Sequence, residues 1–185
     1  MVPLLQTHRL TLRPLNISDA PALFEARSDP EVMRYWDWPP QATVDDVSRI
    51  IADHGKAIAR GHVLWWAVAS SPDGLAIGEC DISEIDEHNR RAEIGFLFRH
   101  ASWGKGYAKE AMKCVIAHAF GPLELERLSA RIHAGNSRAR RLLEKLGFSY
   151  EGMLRGYVLR EGLRIDCQML GLARRALESA LQHLG

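Results

Sequence analysis

The sequence predicts a mixed α+β fold, on three observations. Period-two segments recur along the chain, at 7–15, 63–69, 75–85, 127–133, 148–158 and 164–172. Stretches with apolar residues at helical spacing are interleaved with them, after Thr43, after Gly106 and after Asn136. One short buried strand, Ala92–Phe98, runs through a glycine turn directly into a helix.

The first strand is read over Thr7–Leu15, with Leu10 and Leu12 inward, Arg9, Thr11 and Arg13 outward, and Pro14 closing it. Ser18 caps a helix that tolerates Pro21 early and turns Leu23 and Phe24 inward. Asp29-Pro30 starts a helical turn carrying Val32 and Met33. Tyr35-Trp36-Asp37-Trp38-Pro39-Pro40 is a stiff loop with much apolar surface. Two readings are open: a plug in the core, or a substrate-cleft wall made by Tyr35, Trp36 and Trp38. Thr43 and Asp46 form a capping box with Asp in place of Glu, ahead of Val47, Ile50, Ile51 and Ile58, and Gly61 stops that helix. Val63–Ala69 is a strand with Trp65 and Trp66 on opposite faces, and Leu75–Ile85 returns after the Ser71–Gly74 turn. Arg127–His133 is a strand with one wet face: Arg127, Ser129, Arg131 and His133. Asn136 or Ser137 caps a helix ended by Gly147, and two strands flank the Arg160–Gly162 turn. A last helix, about 173–184, carries Leu177, Leu181 and Leu184. With no repeat or linker, residues 1–185 read as one domain.

The chemistry points to Trp103-Gly104-Lys105-Gly106-Tyr107-Ala108. Tyr107, Ala111, Val115 and Ala119, with Ala108, Met112, Ile116 and Phe120, make one apolar helical stripe. The N–H groups that open this helix have no intrahelical partner, and the glycines before them remove Cβ obstruction. Such a cradle suits an anion, read here as a pyrophosphate. No Gly-Lys-Ser/Thr follows, so it is not a P-loop, and the third glycine of a dinucleotide fingerprint is absent.

Twenty-four basic and 23 acidic residues leave a net charge of +1, which argues against a general polyanion binder and so against DNA. Cys80, Cys114 and Cys167 are odd in number and widely spaced, as buried free thiols of a reducing, cytoplasmic compartment would be. The sequence shows neither a signal-peptide pattern nor an apolar run of about 18 residues, so no membrane partner is expected. The eight histidines lack ligand spacing, and no metal is expected.

Two motifs stand out: Glu93-Ile94-Gly95-Phe96 leading to Trp103 through Ala111, and Asn136-Ser137-Arg138-Ala139 through Gly147-Phe148, then Glu151-Gly152. With the order of elements, they resemble the GCN5-related N-acetyltransferases (GNAT), and within them the ribosomal-protein N-terminal acetyltransferase (RimJ/RimL-like) branch. The resemblance implies a V-shaped, mostly antiparallel central sheet of about seven strands with helices on both faces. It implies acetyl-CoA in the gap where the Glu93 and Arg127 strands part. The arm of the co-substrate would pair with Phe96, Leu97, Phe98 and Arg99, its pyrophosphate would meet Trp103, Gly104, Lys105, Gly106, Tyr107 and Ala108, and Asn136 would bond the arm near the thioester. Arg138, Arg140, Arg141 and Lys145 read either as a solvated helix face or as contacts for the CoA 3′-phosphate, with Arg141 the chosen ligand, or as a docking patch for an acidic or RNA-rich partner.

The family often carries Gln or Arg at Trp103, a proton-donating tyrosine at Leu143, and serine at Ala139. The donor to the leaving thiolate is therefore unassigned among Ser137, Tyr150 and water. A main-chain N–H, assigned to Leu97, would face the acetyl carbonyl. Glu93 stands where histone-acetylating relatives have their general base; the alternative is an ion pair with Arg91 or another basic neighbour. An α-amine, with a pKa of about 7.7–8.0, loses its proton more easily than a lysine at about 10.4, by about 3.4 kcal/mol at ~1.36 per unit. The expected acceptor is accordingly a protein N-terminus, with a small amine (antibiotic or polyamine) as the alternative and a non-catalytic acyl-CoA-binding module as a third reading. A homodimer contact through the last helix is a further expectation.

Overall fold

The structure is a computed structural model that describes residues 2–59 and 61–176. Eight strands run β1 (Leu5–Gln6), β2 (Thr11–Pro14), β3 (Leu64–Ala69), β4 (Ala76–Asp86), β5 (Arg91–Phe98), β6 (Arg127–His133), β7 (Ser149–Arg160) and β8 (Leu163–Ala173). Four α-helices join them: α1 (Ala20–Arg27), α2 (Val44–Ala59), α3 (Tyr107–Phe120) and α4 (Ser137–Lys145). The strands form one sheet in the order β1-β2-β3-β4-β5-β6-β8-β7. Every neighbouring pair is antiparallel except β5 and β6.

That exception makes the V. The two parallel strands pair at Arg91 with Arg127, Ala92 with Leu128 and Glu93 with Ser129. Beyond Glu93 no pairing holds them, while β5 runs on to Phe98 and β6 to His133. Main-chain groups that would have completed a ladder there are left facing a gap.

The sheet buries its two faces differently. On one, Trp66, Cys80, Ile82, Ile94, Leu128 and Ile132 pack against the α3 stripe and against Ala139 and Leu143 of α4. Ala111, Met112, Val115, Ile116, Ala119 and Phe120 are all buried, as the helical spacing predicts. On the other face Ala20, Leu23, Val47 and Ile51 of α1 and α2 cover Ala67 and Ala76. The Thr43–Asp46 capping box opens α2, with Asp46 N–H on Thr43 Oγ1 at 3.2 Å and Thr43 N–H on Asp46 Oδ2 at 2.9 Å.

The beginning of the chain differs from expectation. Thr7–Leu15 is not one strand, because Thr7 N–H donates to Leu10 O at 2.9 Å and Leu10 N–H to Thr7 Oγ1 at 2.9 Å. That tight turn folds Leu5–Gln6 back onto Thr11–Leu12 as an extra strand. Asn16, not Ser18, caps the next helical segment: it accepts from Ser18 N–H at 3.1 Å while Asp19 returns the bond to Asn16 N–H. At the other end, residues 174–176 are helical after β8, and Leu177, Leu181 and Leu184 lie outside the described residues.

Candidate active site

Two cavities meet where β5 and β6 part. The larger, about 610 Å³, lies between β5, the 103–108 turn and the start of α4. Gly104 and Gly106 sit at φ +76° and +81°, a region that costs other residues about 1–2 kcal/mol. Gly106 caps α3 without any side-chain bond, so the N–H groups of Tyr107, Ala108 and Lys109 point out of the helix end. The first intrahelical bond is Glu110 N–H to Gly106 O at 3.0 Å. A brace from the connection between β1 and β2 holds this turn. Arg9 donates from Nη1 to Lys105 O at 3.0 Å and from Nε to Glu110 Oε2 at 2.7 Å. Sequence reading missed the brace, since 101 residues separate Arg9 from Glu110.

Of the predicted co-substrate ligands, Phe96, Leu97, Phe98, Trp103, Gly104, Gly106, Tyr107, Ala108, Asn136 and Arg141 line this cavity, whereas Arg99 and Lys105 do not. Leu97 and Arg99 need a correction. Arg99 donates its N–H to Ile77 O at 3.1 Å, so in an antiparallel ladder its main chain, and that of Leu97 two residues earlier, turns toward β4. Phe96 and Phe98 therefore present their main-chain groups to the gap, and the Leu97 N–H does not. The Arg99 side chain leaves the cleft for Glu25 at 3.1 Å. Trp103 donates its indole N–H to Phe98 O at 2.9 Å and lies under the Arg138 guanidinium at 4.0 Å. Asn136 caps α4 through Oδ1, accepting from Ala139 N–H at 3.1 Å, which leaves its amide donor for the cleft. The basic cluster is divided: Arg138, Arg141 and Lys145 line the cavity, while Arg140 turns away to Glu144 at 2.8 Å. Glycine freedom, open N–H groups and three cations suit the phosphates of CoA, and the unpaired edge of β5 suits its arm.

The second cavity, about 290 Å³, lies on the α1–α2 face and shares Tyr35, Trp36, Phe96, Asn136 and Ala139 with the first. Its floor is the register row Trp65–Asp81–Gly95 with the pair Ser83–Glu93 beside it. Trp36 and Trp38, 5.6 Å apart between ring centres, stand over it. Trp36 lines both cavities and also packs on the Met33–Leu97 cluster. The loop is fastened twice. Asp37 accepts from Arg131 at 2.9 and 3.2 Å and lies 2.8 Å from His133 Nε2. Arg160 Nη1 donates to the carbonyls of Met33, Arg34 and Trp36 at 3.0, 2.9 and 3.0 Å. His133 is thus 4 % exposed, not on a wet face.

The carboxylates of this cavity differ in environment. The His133 hydrogen bond, then those from Arg131, hold Asp37 down at about 2. Glu79 forms a buried ion pair with Arg27, and burial still pushes its pKa up. Burial also raises Glu93, against the pull of Arg131, whose Nε lies 3.9 Å away. Arg91, the partner first considered for Glu93, pairs with Asp86 instead at 3.2 Å. Asp81 is pushed up to about 7, chiefly by burial. Leu143, where relatives carry a tyrosine, lines this cavity fully buried. Of the other proton donors considered, Ser137 lines the larger cavity, and Tyr150 lines neither. Among the described residues no three His, Cys, Asp or Glu side chains come together as a metal site, and no helix is long and apolar enough to cross a membrane.

Residues 9–149 match the family model of the acetyltransferase (GNAT) domain. The chain belongs to the GNAT acetyltransferases. An uncharacterized N-acetyltransferase of Bacillus licheniformis, p20, is 35% identical over 171 residues, 92% of this chain and 96% of that one. The spermidine N(1)-acetyltransferase of Escherichia coli K12 is 30% identical over 148 residues, 80% of this chain and 76% of the relative. In structure, RimL, described as a ribosomal alpha-N-protein acetyltransferase in complex with coenzyme A, superposes with a TM-score of 0.83 at 17% identity, covering 94% and 99% of the two chains. The molecule is an acetyl-CoA-dependent N-acetyltransferase with an open GNAT sheet, and its acceptor is an amine.

Proposed function

We propose that this GNAT enzyme acetylates the α-amine of a peptide or protein N-terminus, in the manner of the ribosomal branch. The observation that carries the reading is the small second cavity, whose raised carboxylates lie on the floor below Trp36 and Trp38. Asp81, pushed up to about 7, matches an amine of pKa about 7.7–8.0 and falls short of a lysine at about 10.4, and Glu93 is raised in the same direction. The fold likeness to RimL agrees with this reading.

Acetyl-CoA supplies the activated acetyl group, held by the Trp103–Ala108 turn and by Phe96 and Phe98. The cavity wall places the amine beside it, and that proximity is worth several kcal/mol. The Phe96 N–H faces the charge that builds on the carbonyl oxygen. Glu93 takes a proton from nitrogen as the amide forms. A small cationic amine is the second reading, favoured by the acidic lining and by the sequence likeness to a spermidine acetyltransferase.

Release of CoA thiol, measured with N-terminal peptides, Nα-blocked lysine peptides and spermidine, tests the choice. The free α-amine peptides are expected to turn over at least tenfold faster. Equal turnover of the lysine side chains, or turnover of spermidine alone, overturns the reading.

A further inference from the structure

An acceptor that arrives as an ammonium must lose two protons on the way to an amide, and Glu93 accounts for one. We propose that Asp81 is the base for the other: it neutralises the incoming ammonium, and Glu93 receives the proton that nitrogen sheds as the C–N bond closes. This deepens the acetyl-transfer reading above and rests on it.

The placement argues for this first. Asp81 lies at the centre of the sheet, in register with Trp65 on one side and Gly95 on the other. A Cβ on Gly95 would collide with Asp81 Oδ1, so the glycine is what lets the carboxylate lie across β5. There it lines the same cavity as Glu93 and Phe96, beside the parting of the strands.

Its partners argue second. Each other carboxylate of the cavity has a basic neighbour: Glu79 has Arg27, Asp37 has Arg131 and His133, and Glu93 has Arg131. Asp81 forms no ion pair among the described residues, and the Ser83 hydroxyl two residues along β4 lowers its affinity for a proton. Around it, Glu79 and Glu93 favour its protonated form and Arg27 of α1 opposes them. His54 of α2 and Arg131 and His133 of β6 share the cavity. With burial dominant, its affinity for a proton falls at about 7, within about one unit of an α-amine.

One ammonium N–H bond breaks and an O–H bond forms on Asp81. The freed lone pair makes the C–N bond, and the thioester C–S bond breaks with its electrons left on sulfur. Glu93 takes the second proton from nitrogen and passes it to the thiolate, and Asp81 returns its own to solvent. The sum is ammonium and thioester giving amide, thiol and one proton.

The test compares Asp81→Asn, Glu93→Gln and Ser83→Ala in pH profiles of kcat, using a peptide α-amine and an arylamine that is already neutral at pH 7. Asp81→Asn is expected to lose about 100-fold with the peptide and the inflection near pH 7, yet less than about fivefold with the arylamine. Ser83→Ala removes the hydroxyl that holds the Asp81 affinity down, so it is expected to move the inflection upward. Asp81→Asn with wild-type turnover and inflection, or with equal losses on both acceptors, overturns the proposal. Should that variant not fold, an unmoved inflection in Ser83→Ala overturns it alone. If the wild type turns over spermidine but not the peptide, the α-amine reading falls, and the role of Asp81 is then decided by whether Asp81→Asn loses, and Ser83→Ala raises, the inflection in the spermidine pH profile.

Discussion

His133 Nε2 lies 2.8 Å from Asp37 Oδ1, and through this contact β6 grips the loop that walls the smaller cavity. Asp37 has a folded-state pKa of about 2, below its ordinary 3.8. A depressed carboxylate stabilises the fold above its unfolded value and loses that contribution as pH falls toward the folded one. Asp37→Asn is expected to cost about 1 kcal/mol at pH 7, since water screens part of the interaction. Denaturant melts of both proteins should show the gap closing between pH 4 and pH 2, and the variant should raise the acceptor KM. A gap that is constant with pH contradicts the assignment.

Gly106 combines φ +81° with a Cβ position 3.3 Å from Arg9 Nη2. Gly106→Val is therefore strained, and it obstructs the cradle that Arg9 braces. Calorimetry should show acetyl-CoA affinity down at least about tenfold, with about 1–2 kcal/mol lost from stability. Unchanged affinity would place the phosphates elsewhere.

How far these features could be read from the chain depends on range. The α3 stripe and the Gly104–Gly106 turn are local: period and glycine spacing state them outright, and the structure repeats them. The Arg27–Glu79 and Asp37–Arg131 contacts span 52 and 94 residues, beyond the reach of any local pattern. Arg131 and His133 alternate with Ala130 and Ile132 just as a solvent-facing row does. Only the loop laid over them makes that row a cavity floor. β1 is two residues long, too short for alternation to announce.

Arg27 and Glu79, each 3 % exposed, form an ion pair under α1 in which Arg27 Nε and Nη1 and Glu79 Oε2 have no further partner. Removing one partner strands a buried charge, so Arg27→Met is expected to cost about 3–5 kcal/mol. Replacing both with apolar residues should recover most of it, because the incomplete bonding leaves the pair's own desolvation poorly offset. Denaturant melts of the single and double variants check this; a double variant no better than the single contradicts it.

Asn136 does two things at one place. Its Oδ1 caps α4, and its amide group lies at the junction of both cavities. Asn136→Ala should lose about 1 kcal/mol of stability with the cap. Asn136→Asp keeps the cap and loses the amide donor, so it should retain stability while the acetyl-CoA KM rises. If Asp restores the KM along with the stability, the side chain serves the helix only.

The most direct measurement is titration calorimetry of the folded chain with acetyl-CoA, followed in the same preparation by thiol release on adding a peptide with a free N-terminus. Heat that saturates at one site per chain, then one thiol released per acetylated α-amine, is the predicted result. No heat with acetyl-CoA, or heat with no thiol released from any amine, contradicts an acetyl-CoA cleft that feeds a carboxylate-floored acceptor cavity.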